Sequence, residues 1–236
     1  MVKLTTRVKR AKRPYRSTNR AAQARETRRA VIDAATRLFV ERGYGVTTID
    51  AIAASADVGR ATVFATVGGK AALLKAAYDV ALVGDDEPVA FPDRPASRKV
   101  MAEPDAARML TAYAAILTPV SQRLGPMYEA VRAAPGADPA AKTVWDKVRA
   151  ERRIGARNLV RLVEDRKALR RGLDPDAAAD VVFVLIDPGL YQVLVRERGW
   201  RPSAYQDWIG ETLCAQLLGP ETGRAHTGPA HKRKEN

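Results

Sequence analysis

The residues of this chain that could do chemistry are cations rather than nucleophiles or metal ligands. Forty Lys+Arg stand against twenty-seven Asp+Glu in 236 residues, a formal charge of +13. An excess of that size suits a polyanionic partner, either nucleic acid or an acidic membrane surface. The excess is unevenly spread. Residues 1–29 hold eleven Lys/Arg, among them Arg10, Arg13 and Arg16, against the single acid Glu26. Residues 30–80 hold five bases and five acids. A basic arm of this kind supplies general affinity for phosphates, so selectivity has to come from the neutral stretch behind it.

Enzymatic machinery does not assemble. The two histidines, His226 and His231, lie in a Gly/Pro/Lys-rich tail, and Cys214 is the sole cysteine. Catalytic triads, Cys–His pairs and His/Cys metal sites therefore have no residues in the body to build on. There is no P-loop and no Gly-rich nucleotide turn after a strand. Adjacent acids such as Asp85-Asp86 and Glu164-Asp165 read as surface or loop charge. No enzyme activity, metal or cofactor is expected. A lone cysteine forms no intrachain disulfide and fits a reducing cytoplasm. No run of about 18 apolar residues occurs, so no membrane span is expected. The basic N-terminus lacks the apolar segment of a secretory signal. It also lacks the apolar face of a membrane-surface helix, which leaves nucleic acid as the expected partner.

The elements that must position these cations read as all-α. Hydrophobic residues make up 46% of the chain but aromatics only 6%, and alanine is abundant. Such a composition favours helices over sheets. Residues 1–21 read as a basic flexible arm. A first helix is expected from about Ala22 to Arg42, with Val31, Ala34, Ala35, Leu38 and Phe39 at helical spacing. Gly43 and Gly45 end it. Thr47 reads as the N-cap of a second helix, with Asp50 in the acidic place of a capping box. Asp57-Val58-Gly59 is a turn, and a third helix covers Arg60 to Thr66. A fourth runs from Lys70 to Val83. Residues 84–103, with Pro88, Pro92 and Pro95, read as a linker or long loop. Longer helices are expected at about 104–118, 126–133, 139–168, 175–197 and 202–218, punctuated by Pro119, Pro126 and glycines. Pro188 is expected to kink its helix. Residues 219–236 read as a disordered tail. The domain plan is thus one helical unit at 22–83 and a second at 104–218.

Two short helices around a tight turn, the second presenting small polar residues, describe a helix-turn-helix. A major groove admits one such helix, whose first turns meet base edges. Residues 26–74 resemble the N-terminal domain of the tetracycline-repressor-like (TetR) family of transcriptional regulators. The resemblance is carried by Leu38–Tyr44 (LFVERGY), Thr47-Thr48-Ile49, Ile52–Phe64 (IAASADVGRATVF) and Gly68–Leu74 (GGKAALL). It implies a DNA-binding helix-turn-helix domain followed by a helical effector-binding and dimerisation domain. The expected function is a sequence-specific repressor released from its operator by a small molecule. A non-specific architectural DNA-binding protein working through the arm is the alternative.

Three positions depart from the family pattern. Asp57 stands where the family usually has glycine, and Gly59-Arg60 replaces the usual Ser-Lys or Ser-Arg. Phe64-Ala65-Thr66-Val67 replaces an aromatic-rich end. Two groups the family directs at phosphates are therefore missing, and the arm is expected to compensate.

The roles expected are as follows. Val58, Val63 and Val67 hold the recognition helix. Arg60, Ala61, Thr62, Ala65 and Thr66 face the groove, Arg60 reaching a guanine edge or a phosphate. Phe64 either contacts DNA or packs. Thr47, Thr48 and Lys70 grip phosphates; Thr47 alternatively only caps, and Lys70 is alternatively only solvated. Arg10, Arg13 and Arg16 represent the arm.

In the second unit the resemblance implies a homodimer, which suits a pseudo-palindromic operator. Val184, Tyr191, Tyr205, Trp208, Ile209, Leu213 and Leu217 are its expected interface, the last five forming a stripe at i, i+3/i+4 spacing. An apolar or aromatic effector is expected among Met109, Tyr113, Leu117, Tyr128, Trp145, Val148, Phe183 and Asp187. Arg152, Arg153 and Arg157 either serve an anionic ligand or form a solvated helix face.

Overall fold

The computed structural model describes residues 15–219, with side chains described from residue 20 onward. Regular structure among these residues is helical, apart from one isolated antiparallel bridge between Leu169 and Leu218. The all-α expectation is met.

Four helices form the N-terminal unit: α1 (Tyr15–Arg42), α2 (Ile49–Ser55), α3 (Arg60–Thr66) and α4 (Lys70–Val83). The first begins earlier than the expected start near Ala22, so Tyr15 to Ala21 are helix rather than arm. Nothing in 15–21 breaks a helix once Pro14 is passed. One side of α1 buries Val31, Ile32, Ala35, Leu38 and Phe39 against Ile52, Val63, Leu73, Leu74 and Ala77. That spacing is the helical stripe read from the sequence. Gly43 takes φ +84, which a glycine adopts without a Cβ clash, and so stops α1 cleanly.

The C-terminal unit comprises α5 (Pro95–Met101), α6 (Ala106–Ala133), α7 (Pro139–Asp165), α8 (Pro175–Leu185), α9 (Pro188–Tyr191) and α10 (Pro202–Leu217). The stretch expected as a linker, 84–103, carries a 3-10 turn at Phe91–Asp93 and all of α5. Proline at the start of α5 is compatible with helix, since its missing N–H would be unpaired there anyway.

Pro119 and Pro126 do not divide α6 as expected; the helix runs unbroken through both. Each proline removes one intrahelical bond. Helix α6 survives because it is the spine of the molecule, packed against α1, α4, α5, α7, α9 and α10. Burial of Met109, Leu110, Leu124, Met127 and Val131 outweighs two lost bonds. Asp105, Asp138, Asp174 and Asp187 cap α6, α7, α8 and α9 by accepting from backbone N–H groups.

The expected helix 175–197 is bent by 41° between α8 and Pro188. Beyond α9 the chain continues as a π-helical stretch, Gln192–Glu197. No single described helix is long and apolar enough to cross a membrane.

The interior divides into two apolar clusters. The first joins α1–α4 to the C-terminal half of α6 and the N-terminal half of α7. The second joins the other halves of α6 and α7 to α8 and α10. Because α6 and α7 run through both, the N-terminal unit and the C-terminal unit share a core.

Two ties reinforce that junction. Tyr44 Oη donates to Asp138 Oδ2 at 2.6 Å, linking the turn after α1 to the cap of α7. Arg123 donates to the Ala81 and Leu82 carbonyls at the end of α4.

Candidate nucleic-acid interface and effector site

The turn between α2 and α3 is made by Asp57 at φ +53. Aspartate tolerates the left-handed region better than most side chains, so the motif survives without the glycine usual there. Gly59 is then the N-cap of α3. Val63 is completely buried, and Val58 and Val67 pack half-buried against the same core. These three anchor α3 as expected. Its outer face carries Arg60, Ala61, Thr62, Phe64 and Ala65, all exposed, with Thr66 half-buried.

Arg60 Nη1 meets Asp50 Oδ2 of α2 at 2.7 Å, and its guanidinium lies 5.5 Å from the Phe64 ring centroid. Phe64 is 46% exposed, so it stands out from the surface rather than packing. Arg28 fastens the far end of α3. Its Nη1 donates to the Thr66 carbonyl at 3.0 Å, while Nε and Nη2 hold the Asp86 carboxylate.

The two threonines before α2 divide the roles differently from expectation. Thr48, not Thr47, is the N-cap, accepting from Ala51 N at 3.1 Å. Thr47 is only 2% exposed, and its hydroxyl donates toward the Leu38 and Gly43 carbonyls of the α1 terminus. Buried and bonded inward, Thr47 has no route to a phosphate. Thr48 is exposed beside the N-terminus of α2.

Lys70 is neither solvated nor free. Its Nζ lies 4.2 Å from the Tyr44 ring centroid and donates to the Gly45 carbonyl at 3.2 Å. Burial pulls its pKa below the ordinary lysine value, with the Asp138 charge opposing. Arg10 and Arg13 lie outside the described residues, and the side chain of Arg16 does too.

In the second unit the stripe expected at a dimer interface points inward. Tyr191, Tyr205, Ile209, Leu213 and Leu217 are buried within one chain, largely against α6, and Trp208 is half-buried. A side chain with no exposed surface in the protomer cannot also contact a second subunit. Of the expected set, Val184 alone is well exposed, at 59%.

The expected effector residues fall into two groups. Met109, Tyr113 and Leu117 are packed in the second apolar cluster. Tyr128, Phe183 and Asp187 gather instead around Arg152, with Trp145 beyond Tyr128 and beside Arg149, and Val148 buried in the adjoining core. None of the eight lines the cleft of about 340 Å³ that lies between α4, the 85–91 loop and Glu151.

Arg152 is the residue the expectation misplaced. Its side chain is 10% exposed, and Nη2 pairs with Asp187 Oδ2 at 2.8 Å. Nη1 donates to Tyr128 Oη at 2.8 Å, which in turn donates to Asp187 Oδ2 at 2.8 Å. The guanidinium stacks 4.1 Å from the Phe183 centroid. Arg153 and Arg157, by contrast, are exposed. The signal was present in the sequence. Val148, Arg152 and Ala156 succeed one another at i+4 along the inward face of α7, so Arg152 had to point in.

Comparison with known proteins agrees with this architecture. Residues 31–77 match the family model described as bacterial regulatory proteins, tetR family. The chain resembles NalD of Pseudomonas aeruginosa, the secondary repressor of the MexAB-OprM multidrug efflux pump. The two are 19% identical, with a TM-score of 0.61, covering 83% of this chain and 97% of NalD. It resembles the SmeT–triclosan complex at 18% identity and TM-score 0.61, covering 88% of this chain and 99% of SmeT. A putative fatty acid metabolism regulator of Clostridium perfringens is similar at 17% identity and TM-score 0.57, covering 80% of this chain and 98% of that one. No curated protein matches the sequence. Residues 31–77 thus match the tetR-family N-terminal domain, and the described residues share their fold with these regulators.

Proposed function

We propose that this chain is a homodimeric, sequence-specific DNA-binding repressor released from a pseudo-palindromic operator by a small molecule. One observation carries the reading: α3 buries Val63 completely while turning Arg60, Ala61, Thr62 and Ala65 to solvent beside the exposed ring of Phe64. Small side chains flanking one arginine let a helix approach base edges closely, and arginine reads guanine bidentately. The named repressor among its structural relatives and the ligand held by another support the finer parts of the reading.

A dimer needs an apolar surface left open by the protomer. Ala177 and Val184 are exposed on α8 with the half-buried Val181 between them, at i, i+4, i+7 spacing. That strip replaces the α10 stripe as the proposed subunit contact.

Selection of bound duplexes from a random pool tests the reading. An inverted repeat with half-sites spaced by a whole number of helical turns is expected. Enrichment of no sequence, with affinity set by salt alone, would establish the architectural alternative instead.

A further inference from the structure

A seam of buried polar atoms crosses the boundary between the two apolar clusters. Ser121 lies on α6 between Leu117 of one cluster and Leu124 of the other; Arg152 lies on α7 between Val148 and Ala156 in the same relation. Among the described residues Arg152 Nε and Gln192 Nε2 are buried without a hydrogen-bond partner, and Ser121 Oγ and Tyr205 Oη, short of a well-formed bond, have only each other. They come from four different segments, α6, α7, the π-helical stretch and α10. Burying a polar group without a partner is costly, and one such seam in an otherwise satisfied core marks a place built for something else. π-Helical turns, such as the one carrying Gln192, recur at functional sites.

We infer that this seam is the effector site and that its ligand is an aromatic carboxylic acid, whose carboxylate displaces Asp187 from Arg152. The inference rests on reading the chain as an effector-released regulator. Arg152 is a cation nine-tenths buried, with Nη1 on Tyr128, Nη2 on Asp187 and Nε unpaired. A guanidinium fork recognises a carboxylate through two parallel bonds, and here only Nη2 reaches the Asp187 carboxylate while Nε stays vacant. Asp187 is therefore an incomplete internal stand-in for a better-placed acid. The rings of Phe183 and Tyr128 against the guanidinium, with Trp145 beyond Tyr128, suit an aromatic body.

The exchange has a mechanical result. Asp187 Oδ1 also accepts from Gly189 N, capping α9 at the bend between α8 and α9. A ligand carboxylate on Arg152 repels Asp187, so the bend beside the proposed subunit contact is the part that moves. No covalent step is involved.

The test uses the full-length protein with naphthoate and its uncharged analogue naphthamide. Melting temperature and tryptophan emission are followed as each is titrated. Naphthoate is expected to raise the melting temperature and change the emission, and naphthamide to bind about a hundredfold more weakly. Asp187→Asn removes the internal competitor and is expected to tighten naphthoate binding. The paired variant Arg152→Gln/Asp187→Asn leaves no lone buried charge, so it is expected to fold while losing the preference for the acid. Equal binding of acid and amide, retention of the preference in the paired variant, or no binding of naphthoate would overturn the inference. Binding of the selected DNA is measured on the same samples. Sequence-specific DNA binding without Arg152-dependent naphthoate binding defeats this inference alone. Naphthoate binding without any DNA selectivity defeats the repressor reading alone.

Discussion

Arg60, at the start of α3, is held by Asp50 of α2 at 2.7 Å, so the base-reading candidate of this helix is paired with an acid when no DNA is present. Both side chains are exposed, and a surface pair of this kind is weak and screened by salt. DNA phosphates or a guanine edge can outcompete it. Arg60→Ala is expected to lose about 1–3 kcal/mol of specific binding. Asp50→Asn is expected to increase affinity for any duplex. Fluorescence anisotropy on the selected site and on a scrambled one, across a salt series, checks both. Unchanged specific binding in Arg60→Ala removes Arg60 from the interface.

The two threonines ahead of α2 give separable outcomes. Thr48→Ala removes a helix cap and is expected to cost about 1 kcal/mol of stability. Thr47→Val deletes a buried hydroxyl serving two carbonyls and is expected to cost about 1–3 kcal/mol. Urea denaturation measures these losses. In the folded protein, Thr47→Val should leave the salt dependence of DNA binding unaltered. A shallower salt slope for that variant would return Thr47 to the phosphate-contacting group.

Asp57 holds φ +53 in the turn. Glycine relieves that strain at no steric cost, and against it stands only the greater freedom of the unfolded chain. Asp57→Gly is expected to stabilise the protein by about 1 kcal/mol, where glycine at an ordinary position destabilises. Thermal denaturation showing a lower midpoint would contradict the assignment.

Residues on the inner and outer surfaces of the C-terminal unit should separate stability from assembly. Leu213→Ala empties a fully buried site and is expected to cost about 2–5 kcal/mol within the protomer. Val184→Arg, at an exposed position, is expected to leave the protomer folded and abolish the proposed dimer. Light scattering with circular dichroism distinguishes the two. A monomeric but otherwise stable Leu213→Ala would put the interface back on α10.

Alkaline stability follows from the buried phenols. Burial pushes Tyr113 and Tyr205 up to about 12, and Tyr78 is raised further in the same direction. In the unfolded chain these groups ionise near the ordinary value of about 10. Because the folded pKa is the higher one, the stabilisation is complete below pH about 10 and is lost as pH rises from there toward 12. Melting temperatures recorded across that window should fall, and Tyr113→Phe should flatten the decline.

Periodicity made the first unit readable and the second only partly so. Val31, Ala35, Leu38 and Phe39 have a single core to face, and the stripe they form in sequence is the stripe they form in space. Tyr205, Ile209, Leu213 and Leu217 form an equally clear stripe on α10. A stripe shows that one face is covered, but it does not show whether the cover is the same chain or another. Pro119 and Pro126 misled because local propensity was judged without the packing that surrounds α6 on several sides. Thr47 and Thr48 are adjacent candidates for one cap, and only the path of the chain out of α1 decides which hydroxyl faces inward. Arg152 was hidden by its neighbours: Arg153 and Arg157 do face solvent, and three arginines close together look alike until the inward register of α7 is followed through Val148 and Ala156.

One guanidinium, that of Arg28, holds both the last carbonyl of α3 and the carboxylate of Asp86 in the loop behind α4. The tail of α3 and that loop are therefore a single mechanical piece, braced off α1 like a strut. Any displacement of the loop is a tilt of α3, applied at the end farthest from Arg60. Cutting the strut would leave every outward-facing side chain of α3 chemically intact and yet free the helix to pivot about Val63, so that, on the proposed function, the alphabet is kept and the aim is lost.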